Sequence, residues 1–213
     1  MKIFNEDLAV KAYERVKALI RSKQLKPGQK IVQEKLAKEL GISRTPLRSG
    51  LQMLEAESLI ESIPRRGVVV KEFTNEEILE IYDCRIAMEC MAARLFAERA
   101  SKDQIDRLYE LFSPFKNLKI IPLEEYQKAD SEFHDTLIKE CGNKFLYNLF
   151  RKGNLLLCID LIGLIRHPEE TLSEHLEIID SLKKRKTDEA CSLIEQHLNI
   201  TRELILQKIA DGK

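Results

Sequence analysis

Three of the four histidines in the chain, with one aspartate, stand at spacings that let them converge on a single point. Asp130 and His134 are four residues apart, so on a helix they project from the same face. His175 and His197 flank a turn centred near residue 186, eleven residues from each. At ~1.5 Å of rise per residue, both lie ~16 Å from the tip of a helical hairpin and stand level with each other. Three imidazoles and a carboxylate suit one divalent transition metal ion per chain, zinc before nickel, manganese or iron, with open positions for an exogenous ligand. Taken singly, each histidine reads more simply as a satisfied polar group in or near a core; the set carries the argument. His167, before Pro168 in an interhelical turn, receives no role. Arg85 and Glu89 form another i, i+4 pair. The plain reading is a salt bridge worth ~0.3–0.5 kcal/mol if exposed. A buried Arg85 is instead the candidate to hold the carboxylate of a small ligand.

A second group of residues suits polyanion recognition. Residues 1–72 hold 15 Lys/Arg against 9 Asp/Glu, whereas residues 73–213 hold 20 against 26, so the chain's zero net charge divides into a basic head and an acidic body. Within the head, Ala37 sits where two helices must nearly touch, Gly41 makes a tight turn and Leu47 packs the later helix back onto the earlier one. That spacing is the one a helix-turn-helix needs, and it presents Ser43, Arg44, Thr45 and Arg48 to the major groove of duplex DNA. Arginine binds guanine O6 and N7 bidentately, and hydroxyls take phosphates or base edges. Arg65, Arg66 and Gly67 form a basic hairpin tip suited to the DNA backbone or minor groove.

The elements that must position these residues are legible from periodicity. Leu8, Ala12, Val16, Leu19 and Ile20 recur at helical spacing, and the helix stops before Lys26-Pro27-Gly28. A short helix over about 33–40 ends at Gly41, and Ser43 caps a third that reaches about Glu57. Two short strands, 59–63 and 68–71, follow, joined by Pro64-Arg65-Arg66-Gly67. Thr74 to Glu77 is a capping box that opens a helix to about Arg99, and Ser101 to Gln104 opens the next. Further helices are expected over about 124–140, 144–165, 169–185 and 188–209. The fold class is therefore mainly α: a winged helix-turn-helix over 1–72 and an all-helical bundle over 73–213, coupled by a short linker at about 72–75.

Composition narrows the classes further. With 213 residues, 44% hydrophobic and 33% charged, the chain is too apolar for a disordered protein. Its five cysteines, odd in number and without a Cys-x-x-Cys pair, suggest neither a disulfide framework nor a thiolate zinc site. The longest apolar run, Leu155 to Ile165, contains Asp160 and Gly163 and falls short of the ~20 residues that span a bilayer. The first sixteen residues lack an uninterrupted apolar stretch, so a cytoplasmic location without a membrane partner is expected.

LKPGQKI, LAKELGISRTPLRSGLQMLEAESLI and PRRGVVV resemble the GntR family of bacterial regulators, and YDCRIAMECMAARLFAERA is similar to the first helix of that family's FCD-type effector domain. The resemblance implies a transcription regulator that binds operator DNA through its head. It also implies an Asp-x-x-x-His pair plus two later histidines as a metal site, positions occupied here by Asp130, His134, His175 and His197. The expected partners are an inverted-repeat operator, a second copy of the chain and a small carboxylate effector. The sequence departs from the family pattern at Ser49-Gly50, where Glu-Ala is more usual, and at Ser58, where glycine is common. Glycine inside a helix costs about 1 kcal/mol relative to alanine, so a more mobile recognition helix is expected. A metal-dependent hydrolase using the same His/Asp set is the competing reading, but it needs a general base that the sequence does not supply. A non-specific DNA-coating protein fits the basic head and leaves the histidines unexplained.

Overall fold

The computed structural model describes residues 3–211, and the chain divides after Glu72 into two compact units. The first comprises α1 (Ile3–Arg21), α2 (Gln33–Leu40), α3 (Arg44–Ala56), β1 (Ile60–Ile63) and β2 (Gly67–Val70). Ala9, Ala12, Tyr13, Val16 and Ile20 form the buried stripe of α1, while Leu8, expected in that stripe, is 37% exposed. The stripe is offset because α3 meets α1 through small residues. A Cβ on Gly50 would stand 2.8 Å from the Tyr13 nitrogen and 2.9 Å from the Ala9 carbonyl oxygen. Gly50 therefore lets two helix backbones approach, and the expected mobility gives way to close packing. Replacing Gly50 by Ala is expected to destabilise this unit by about 1–3 kcal/mol through overpacking, despite alanine's better helix propensity. Chemical denaturation checks this, and a Gly50→Ala variant more stable than the parent would reinstate the mobile-helix reading.

The turn between α2 and α3 is closed by Gly41 at φ +67°, with the Ile42 N–H donating to the Ala37 carbonyl at 3.1 Å. Leu47 and Leu54 are fully buried on the inner face of α3. Ser58 has φ +57°, a left-handed conformation that accounts for the glycine usual at this point in the family. β1 and β2 pair antiparallel, Ile60 opposite Val70 and Ile63 opposite Gly67. A third segment, absent from the sequence reading, lines the other side of β2: the Ile31 N–H donates to Val68 at 2.8 Å and the Val70 N–H to Gln29 at 2.9 Å.

The second unit comprises α4 (Asn75–Arg99), α5 (Lys102–Phe112), a 3₁₀ turn (Ser113–Phe115), α6 (Leu123–Glu140), α7 (Lys144–Lys152), α8 (Leu155–Ile162), α9 (Pro168–Lys183) and α10 (Thr187–Ala210). Both expected capping boxes are formed, Thr74 with Glu77 and Ser101 with Gln104. The single helix expected over 144–165 is two helices, broken at Gly153 and at Asn154, which has φ +50°. The break has a packing reason. It separates α7, whose Phe150 is buried while Phe145 is 74% exposed, from α8, whose Leu157, Cys158 and Ile159 are buried. α8 docks on α6, where the Ser131 hydroxyl donates to the Asp160 carboxylate and Gln127 Nε2 to the Asp160 carbonyl. α4 and α10 run antiparallel, pinned by Arg94–Asp188 at 3.1 Å towards one end and Arg202–Asp83 at 2.6 Å towards the other. No helix among the described residues is long and apolar enough to cross a membrane.

Candidate metal centre and nucleic-acid face

α6 carries Asp130 and His134, α9 carries His175 and α10 carries His197; one ligand atom from each lies within 4.8 Å of all the others. The four residues singled out by spacing are thus brought together. His134, His175 and His197 are nearly sealed from solvent and Asp130 is 9% exposed. Aromatic rings wall the cluster: Phe112 stacks on His175 at 4.3 Å and Phe133 meets it edge-on at 5.0 Å.

Each imidazole is oriented through Nδ1. His134 Nδ1 donates to Glu89 Oε2, His197 Nδ1 donates to Glu174 Oε2 at 2.7 Å, and His175 Nδ1 donates to the Thr171 carbonyl at 2.9 Å. An Nδ1–H held by an acceptor leaves Nε2 of a neutral ring with a lone pair, the form a metal ligand takes. His175 Nε2 has no hydrogen-bond partner and lies 3.3 Å from Asp130 Oδ1 without hydrogen-bonding geometry. Lone pairs and a carboxylate oxygen facing one another in a sealed site repel unless a cation lies between them, so this donor set fits a divalent transition metal.

The supporting carboxylates are themselves held. Burial raises the Glu89 carboxyl, but Arg85, whose Nε donates to it at 2.6 Å, and His134 more than offset this and bring it down to about 2. Burial likewise raises Glu174, offset by hydrogen bonds from His197 and from the Arg166 guanidinium, whose two donors lie at 2.6 and 2.8 Å, which also bring it to about 2. Burial, then the neighbouring His175, push His197 down to about 4, and burial lowers His175 as well.

A folded-state pKa below the unfolded value means that the unfolded chain binds more protons, so stability present above the unfolded pKa is lost on acidification. For His197 that window runs from the ordinary 6.5 down to about 4. Metal-free protein is therefore expected to lose stability progressively between about pH 6.5 and pH 4, before most carboxylates titrate. Urea midpoints measured in a chelator at successive pH values report it, and a flat profile down to about pH 5 would contradict it.

Arg85 is 2% exposed. The exposed salt bridge offered as its plain reading is thus a buried one, and its NH2 finds no hydrogen-bond partner. Arg85, Asp130, His134 and His197 line a cavity of about 30 Å³. Glu174, Arg166, Thr171 and Tyr126, whose hydroxyl lies 2.8 Å from the Thr171 hydroxyl and 3.1 Å from His175 Nδ1, escaped the sequence reading. Arg166, Glu170 and Glu174 do stand at helical intervals, but nothing in the sequence couples Glu174 to His197, 23 residues away. His167 is exposed at the start of α9.

In the first unit, Ser43, Arg44, Thr45 and Arg48 are exposed on one face of α3, whose Pro46, Leu47 and Gly50 are buried. Ser43 occupies the N-cap position, yet its hydroxyl makes no capping bond. The first turn of α3, in which Pro46 offers no N–H, thus keeps its remaining orphan N–H groups uncapped by Ser43, an arrangement that favours an anion. Arg65 lies exposed at the turn between β1 and β2 with φ +64°. Arg66, expected at the same tip, donates through NH2 to the Gly28 carbonyl at 3.1 Å and so also braces the loop beside β2. Gly67, at φ +87°, opens β2.

Residues 8–70 match the gntR family of bacterial regulatory proteins, and residues 80–200, more than half of the chain, match the FCD domain. The chain is 28% identical over 206 residues to the HTH-type transcriptional regulator YdhC of Bacillus subtilis, covering 94% of this chain and 92% of that protein. It is 28% identical to the Nta operon transcriptional regulator of Aminobacter aminovorans, covering 88% and 90%. Among solved structures, a GntR transcriptional regulator from Rhodococcus sp. RHA1 superposes with a TM-score of 0.77 at 21% identity, covering 93% and 97% of the two chains. The basic head with its helix-turn-helix and wing, the helical second unit and these two family matches lead to one conclusion: the chain is a DNA-binding transcription regulator of the GntR family, with an FCD domain behind its winged helix-turn-helix.

Proposed function

We propose that the FCD unit holds one divalent transition metal ion, zinc before nickel, manganese or iron, and that a small carboxylate effector binding there modulates the affinity of a homodimer for an inverted-repeat operator. The observation that carries this reading is the orphaned Nε2 of His175 facing Asp130 in a sealed site where three imidazoles share one orientation scheme. Asp130 and the Nε2 atoms of His134, His175 and His197 would hold the ion, which would supply a Lewis-acidic point of attachment for a carboxylate. Arg85, with a buried NH2 left unpartnered beside the same cavity, is the residue assigned to the effector's charge. The cavity, about 30 Å³, has room for water rather than for a large metabolite, which limits a ligand in this conformation to a few heavy atoms.

Elemental analysis and native mass spectrometry of the purified protein test the proposal. One divalent ion per chain is the expected result, and protein that takes up no transition metal from excess zinc would count against it. For the DNA face, Arg48→Ala is expected to lose about 1–3 kcal/mol of discrimination between operator and mutated operator, whereas Arg65→Ala should weaken all duplexes alike and reduce the salt slope by about 1. Binding titrations at several salt concentrations separate the two. Unchanged specificity in Arg48→Ala would show that another face of α3 enters the groove.

The family and its relatives are transcription regulators, a non-enzymatic class, and nothing supports the competing hydrolase. The two carboxylates nearest the histidines are each tied to an arginine and to an imidazole Nδ1, which leaves neither placed as a general base.

A further inference from the structure

Cys90 on α4 and Cys191 on α10 are members of neither site described above, although Cys90 directly follows Glu89. The antiparallel register of the two helices sets them opposite each other. The Cys90 thiol donates to the Cys191 backbone carbonyl at 3.4 Å, which brings its sulfur beside the partner cysteine. Arg94–Asp188 at 3.1 Å, about one helical turn from Cys90 and from Cys191, marks the same register. Both cysteines are partly exposed, so a small oxidant reaches them, whereas Cys141 and Cys158 are buried. Two adjacent, accessible thiols on neighbouring rigid helices have no part in holding the metal ligands or in reading DNA.

We propose that Cys90 and Cys191 form a peroxide-oxidisable dithiol, closing a reversible disulfide that joins α4 to α10. The Cys191 thiolate attacks the peroxide, R–O–O–H; the O–O bond breaks, ROH leaves after taking up a proton, and Cys191 becomes a sulfenic acid. Cys90 then attacks that sulfur. An S–S bond forms, the S–O bond breaks, and hydroxide departs with the Cys90 proton as water. Two electrons pass from the two thiols to the peroxide. Burial, followed by the neighbouring Cys191, pushes the Cys90 thiol up to about 12, so Cys90 stays protonated when peroxide arrives and gives up its proton only as it attacks the sulfenic sulfur. The link would tie together the helix carrying Glu89, which orients His134, and the helix carrying His197. Oxidation thus reaches the walls of the metal cluster without touching a ligand.

The test uses the full-length reduced protein titrated with hydrogen peroxide. Remaining thiols are alkylated with iodoacetamide, and the unreduced digest is mapped by mass spectrometry. The expected result is a Cys90–Cys191 linked peptide two hydrogen masses lighter than the sum of its parts. Two of the five thiols should be lost to alkylation, and dithiothreitol should restore both. Cys90→Ser and Cys191→Ser should each abolish the linked peptide, with folding checked by circular dichroism; the wild-type map decides the matter even if either variant fails to fold. Peroxide that modifies exposed Cys84 while Cys90 and Cys191 stay fully alkylatable overturns the proposal. So does irreversible over-oxidation of Cys191 without a link.

Discussion

His197→Ala is expected to lower divalent-metal affinity by more than the ~10–100-fold that follows loss of an outer hydrogen-bond partner, because it removes one of four ligand positions outright. The parent should gain about 2.7 kcal/mol of stability at a metal concentration 100-fold above its Kd, and the variant should gain little at the same concentration. Operator binding by the variant should remain measurable, since α1 to α3 and the wing form a unit with their own buried core. Its response to effector should vanish, which is what two sites coupled through a conformational equilibrium require. Metal content, thermal unfolding with and without zinc, and operator titrations on the same two preparations separate these effects. A His197→Ala protein that still retains a full equivalent of metal would remove α10 from the site.

Glu89→Ala is expected to be the most destabilising single change in the FCD unit. Glu89 is fully buried between Arg85 and His134. Removing it leaves a guanidinium without its counter-charge in the core, a loss of about 3–5 kcal/mol. It also frees His134 to rotate, so metal affinity should fall about 10–100-fold in any protein that folds. Glu89→Gln keeps the shape and one acceptor oxygen and should fall between parent and Ala in both measurements. Glu174→Ala provides the contrast: Arg166 sits nearer the surface, and water can replace part of what is lost. Chemical denaturation of the three variants with metal removed isolates the first effect, and zinc titration reports the second. Stability of Glu89→Ala within about 1 kcal/mol of the parent would mean that Arg85 finds another partner, and the buried ion pair would not be what shapes this part of the core.

How much of this was legible beforehand depended on whether the signal was local. Helix boundaries marked by caps were readable because a cap is a contact within four residues: Thr74 with Glu77, Ser101 with Gln104, and the left-handed Gly41 all stand where expected. The break at Gly153-Asn154 did carry a local signal, the polar stretch Arg151-Lys152-Gly153-Asn154 ahead of the apolar run from Leu155, and docking of α8 against α6 is what makes the chain turn there. The meeting of Asp130 with His134 followed from one helical repeat, and that of His175 with His197 from the symmetry of a hairpin.

The sequence by itself determined the order of the units, the basic and acidic halves, which side chains of α3 stand exposed and which His and Asp side chains cluster. Periodicity and charge are properties of the chain before it folds, and they survive folding unchanged. The tertiary structure alone decided what surrounds those residues. It turned Arg85–Glu89 from a possible surface pair into a buried charge holding His134, supplied Glu174 to His197, and made Gly50 a point of backbone contact. The physical reason is common to all three. Each rests on burial and on a partner from a distant helix, and neither desolvation nor long-range contact leaves a mark in the spacing of residues along the chain.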